Sequence, residues 1–96
     1  MTRLREECYG GQAAEMMLKQ AAAAVANRRE IYGDPRAAME AVATRWSITL
    51  GHTVTPAQVV LCLIDLKLAR LAHDPDHLDS MVDVAGYAAI LREVAR

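Results

Sequence analysis

The sequence predicts an all-α protein, a compact four-helix bundle built from three long helices plus one Ala-rich helix. Three observations carry this. Apolar residues recur at helical spacing along most of the chain, and no strand-type alternation of useful length interrupts them. Asp34-Pro35, Thr55-Pro56 and Asp74-Pro75 divide the chain at regular intervals. The apolar mass is also small and helix-favouring, with eighteen alanines, one Trp and no Phe. The 96 residues fit a single helical domain over 1–96, with a polar leader over 1–11 expected to be flexible.

The first helix begins at Gln12 after Gly10-Gly11. Its Ala14, Met17, Leu18, Ala21, Ala22 and Val25 recur on one stripe up to about Arg29, and the segment ends near Tyr32-Gly33. Asp34-Pro35 opens the second helix. Asp caps free amides, while Pro at the first helical position gives up only a hydrogen bond that had no partner. That helix runs to about Leu50, with Trp46 on its apolar stripe, and Gly51 stops it. Thr55-Pro56 repeats the device for a third helix to about Ala72. It is apolar nearly all round, which predicts a central helix or one lying in a subunit interface. After Asp74-Pro75 the fourth helix starts between Asp76 and Ser80 and runs towards Arg96. Ser80 followed by Asp83 resembles a capping box.

Composition excludes several classes. Eleven Lys and Arg against twelve Asp and Glu give a net charge of −1, against a dedicated or sequence-specific nucleic-acid binder. No apolar run approaches the about 18 residues of a membrane helix, so no membrane partner is expected. Cys8 and Cys62 form no metal or disulfide pattern. The expectation is a reduced protein of the cytoplasm. A chain this short buries a modest core, so a homo-oligomer is expected.

Chemistry concentrates in two places. Asp65, Lys67 and Arg70 interrupt the apolar third helix, and buried unpaired charge is costly. Lys67 and Arg70 share a face; they form its wet stripe or pair with acids of the last helix, or they bind an anion such as phosphate. The second place is His73 to Ser80 followed by Asp83, with Asp74, Asp76, Asp79 and Asp83 as oxygen donors for a hard divalent cation. Helix-start preference accounts for the earlier acids. Asp83 is read either as a buried salt bridge to Lys67 or Arg70, or as a ligand. Tyr32 is read as a helix-end residue or as a stacking surface for a base. Gly86, beside Tyr87, suggests a close helix crossing or room for a ligand. His73-Asp74 as a hydrolase dipeptide and His73 with His77 as zinc ligands are both weak signals. No nucleophile–base pair, Walker loop or dinucleotide glycine motif is present.

Tyr32-Gly33-Asp34-Pro35, Trp46, Lys67-Leu68-Ala69-Arg70-Leu71 and His77-Leu78-Asp79-Ser80-Met81-Val82-Asp83-Val84-Ala85-Gly86-Tyr87 together resemble a family of small phage and prophage proteins of unassigned function. The resemblance spans roughly Glu30 to Glu93. Asp79 to Tyr87 is further similar to the last metal-binding helix of MazG-like all-α nucleotide pyrophosphohydrolases. That resemblance implies Mg²⁺ held by Asp79 and Asp83, those two acids serving catalysis, and phosphates on Lys67 and Arg70. Beside it, the acidic cluster offers Asp76 as a further metal ligand, and Tyr32 and Tyr87 are candidate ligand-binding residues. The chain departs from the pattern where those enzymes carry E-x-x-E, because Val59 to Leu71 offers only Asp65. A partner subunit, Glu40 or Glu30 would have to supply the missing acid.

Three functions follow as expectations. One is a metal-dependent pyrophosphohydrolase or a degenerate relative. Another is a binding protein that sequesters a nucleotide or cyclic nucleotide signal. The third is an interaction protein with a target such as a host defence protein, its charges forming structural pairs.

Overall fold

A computed structural model describes residues 12–95; the leader lies outside the described residues. Four helices follow in order: α1 Ala13–Tyr32, α2 Pro35–Leu50, α3 Pro56–His73 and α4 Leu78–Val94. No strand occurs among the described residues. No described helix is long and apolar enough to cross a membrane.

The helix ends follow from local chemistry. Asp34 accepts from the Arg36 N–H at 3.0 Å with Pro35 in the first turn. Thr55 Oγ1 accepts from the Gln58 N–H at 3.1 Å while Gln58 Oε1 accepts from the Thr55 N–H at 2.9 Å, a complete capping box. Gly51 ends α2 with φ 78°, a left-handed conformation that costs glycine nothing.

The start of α4 differs from the expected Ser80–Asp83 box. The cap is His77, whose Nδ1 accepts from the Ser80 N–H at 3.2 Å and stands 2.8 Å from Ser80 Oγ. The imidazole supplies the acceptor that Ser or Asp usually provides, so the helix begins earlier and Ser80 lies inside its first turn, buried.

Of the two places expected for α3, the centre is taken by another helix. The central helix is α4, which packs against α1, α2 and α3. Every residue from Ser80 to Tyr87 is buried or half-buried, and the small Ser80, Ala85 and Gly86 let neighbours approach from several sides. Gly86 faces α1, where an added Cβ would meet Val25 Cγ2 at 3.5 Å. The leucines of α3 point all round the helix, and its two main neighbours, α4 and α2, cover one side of it.

Val59 and Val60 are fully buried at the start of α3. Ala43, Val54 and Val59 form a core cluster with Met39, Val42, Trp46 and Leu63 packed against it, which places Trp46 as the sequence predicts. Ser47 ties the connection to this core: its Oγ accepts from the Val54 N–H at 2.8 Å and donates to the Ala43 carbonyl at 2.8 Å.

Candidate functional site

The charged residues singled out in α3 and α4 meet at Asp83. From α4 this carboxylate turns one oxygen to Lys67 Nζ of α3 at 3.1 Å and the other to Arg28 Nη2 of α1 at 4.0 Å. Lys67 sits on the side of α3 that faces α4, two positions from the outward Asp65, so the helical turn places the two on opposite faces. The side chains of Lys67 and Asp83 are 18% and 24% exposed. A pair this sheltered is screened less than a surface pair, and its hydrogen bond joins two ionised groups. One acid thereby links three helices.

Tyr87 lies one turn beyond Asp83, and both line a cleft between α1 and α4 with Arg28, Val82 and Gly86. The cleft holds about 20 Å³, room for a water but not for a nucleotide. Arg70 is one turn past Lys67 and exposed. Tyr32 ends α1 and is 75% exposed. The structure thus gathers Asp83, Lys67 and Tyr87 and leaves Arg70 and Tyr32 on open surface.

The other acids lie at the surface. Asp74 Oδ1 accepts from the Asp76 N–H at 3.2 Å, a polar turn, and Asp76 itself is exposed. Asp79 occupies the first turn of α4, where the helix dipole favours a carboxylate, and is exposed. Among the described residues, no group of three or more His, Cys, Asp or Glu side chains stands together as a metal-holding set. Asp65, Glu30 and Glu40 are exposed on other surfaces, and so is Cys62.

A second charged junction had no signal in the sequence reading. Arg29 of α1 pairs with the Glu93 carboxylate of α4, and Arg36 of α2 donates to the Glu93 carbonyl at 2.7 Å. The Glu93 hydrogen bond, with its negative charge, raises the Arg29 guanidinium further above its usual range. These partners are 64 and 57 residues apart, beyond any local spacing rule.

These features define an α-helical bundle in which charged side chains bridge helices. The chain belongs to the family described as a domain of unknown function, DUF6378, whose model matches residues 16–95. It is 38% identical over 68 residues to the Gene 55 protein of Mycobacterium phage L5, covering 70% of this chain and 44% of that protein. The chain therefore spans less than half the length of that relative. No solved structure matches it. The resemblance to phage proteins of unassigned function is borne out, and the family match extends it upstream into α1.

Proposed function

We propose that this chain is a helical interaction module of phage type, acting through contacts with protein rather than by turning over a nucleotide. The observation that carries the reading is the engagement of Asp83 by Lys67 at 3.1 Å. The acid that a metal site would need and the cation that a phosphate site would need neutralise one another, and Arg28 adds a third helix to the tie. In contrast, the outward surface is rich in large apolar residues, among them Leu61, Leu66 and Leu68 of α3.

The rival is the nucleotide-linked reading, with Mg²⁺ at Asp79 and Asp83, Asp76 close by, phosphates on Lys67 and Arg70, and Tyr32 or Tyr87 against the base. It requires Asp83 to leave Lys67. Asp83→Asn separates the two. For an interaction module it lowers stability by about 1.5–3 kcal/mol, the worth of a hydrogen bond between charged groups, read from urea denaturation. The wild-type chain, mixed at near-equal concentration with nucleoside triphosphates and cyclic nucleotides, leaves the ultrafiltrate unchanged with Mg²⁺, Mn²⁺ or chelator. A monophosphate produced only with metal, or one intact nucleotide held back and released on denaturation, overturns the interaction reading.

A further inference from the structure

We propose that the outward face of α3 docks a second copy of this chain as an antiparallel helix pair about a two-fold axis near Ala69; this rests on the interaction reading and names its partner.

The face is built by the helical period. At about 100° per residue, the fully buried Val59 and Val60 and the inward Lys67 point to the bundle. Asp65 and Ala69 then centre the opposite side, with Leu61 and Leu68 along one flank and Cys62 and Leu66 along the other. Leu61 is 49% exposed, Leu66 55% and Leu68 47%. The helix is apolar, but its two main packing neighbours cover only the other side.

Charge complementarity commits the occupant to a second copy. Asp65 carries no ion pair among the described residues, and the last turn of α3 carries the basic Arg70 and His73. In an antiparallel pair centred on Ala69, Asp65 stands opposite the partner's His73, and the same contact recurs on the other side by symmetry. Ala69 is small enough for the helices to cross there, and Leu68 packs beside its own copy. A parallel pair would instead place the two Asp65 carboxylates together.

The test is sedimentation of the full chain over a range of concentrations, with two variants on the exposed face, Leu68→Glu and Asp65→Arg. Wild type is expected to form a dimer. Each variant is expected to keep its helical circular dichroism while its dissociation constant rises at least about tenfold, as for a residue central to an interface. Ala69→Cys, with Cys8 and Cys62 changed to Ser, is expected to link two copies on oxidation, because a disulfide needs Cβ atoms within about 4.5 Å. Gln58→Cys in the same background, about 16 Å along the helix from Ala69, is expected not to. A wild-type chain that stays monomeric, or a dimer that survives both variants and does not link at position 69, overturns the proposal. The interaction reading fails separately, on nucleotide turnover or capture. A monomer that leaves nucleotides untouched removes the second-copy face and leaves that reading standing.

Discussion

His77 caps α4 with a ring nitrogen, and the helix holds Ser80 one turn in against the same atom. An acceptor at this position satisfies an amide that would otherwise have no partner. Replacing it with Ala is expected to lower stability by about 1 kcal/mol, measured by urea denaturation, and His77→Asp is expected to restore most of the loss. Gly86 carries a change of opposite sign. A Cβ there would meet Val25 Cγ2 at 3.5 Å, an ordinary van der Waals distance, while a helical glycine costs about 1 kcal/mol relative to Ala. Gly86→Ala is therefore expected to raise the denaturation midpoint. Gly86→Leu, which has no room at the α1–α4 crossing, is expected to lower it. Residue-level signals were legible where the chemistry is common. Asp34 and Thr55 act as the caps their sequence suggests, and Gly86 marks a helix crossing. The His77 cap was missed because imidazole is an infrequent N-cap and Ser80 offered a familiar pattern nearby.

Between elements, two junctions hold α4 to its neighbours, and they differ in shelter. The Lys67–Asp83 pair is mostly buried, whereas Arg29 and Glu93 are 45% and 37% exposed. Exposed ion pairs contribute little and weaken with salt. A double-mutant cycle on Lys67 and Asp83 is expected to give a coupling of about 1.5–3 kcal/mol that changes little up to molar salt. The same cycle on Arg29 and Glu93 is expected to give a smaller coupling that disappears with salt. Equal couplings would mean that burial does not set the strength of these ties. The Lys67–Asp83 contact was one of the alternatives the sequence left open, because a charge within an apolar helix must find a partner. Arg28, Arg29 and Glu93 offered no such contrast. Each sits in a polar helix end, and only the fold brings them together.

For the whole molecule, the fold class and the four described helices were legible because Pro, Gly and cap residues punctuate the chain. The packing order was not. Hydrophobic pattern reports how much of a helix is apolar, not how many neighbours it meets. So α3, the more apolar, is expected at the centre or in a subunit interface, and α4, with its small residues, holds the centre. The consequence is a thin core. Among the described residues, Ala21, Ala43, Val54, Val59, Val60 and Ile90 are the buried apolar ones, while ten large apolar side chains are exposed. A bundle with so little burial has a small stability of its own, and covering the α3 leucines would add directly to it. When the folded state is a dimer and the unfolded state is not, mass action stabilises the dimer by about 1.4 kcal/mol for each tenfold rise in concentration. Shared between two chains of this size, that moves the melting midpoint upward by a few degrees. Thermal unfolding of wild type is therefore expected to shift with concentration, whereas Leu68→Glu melts lower and at a concentration-independent temperature. A wild-type midpoint that does not move over a hundredfold range would mean that the α3 leucines stay in water and that the four helices alone account for the stability of the chain.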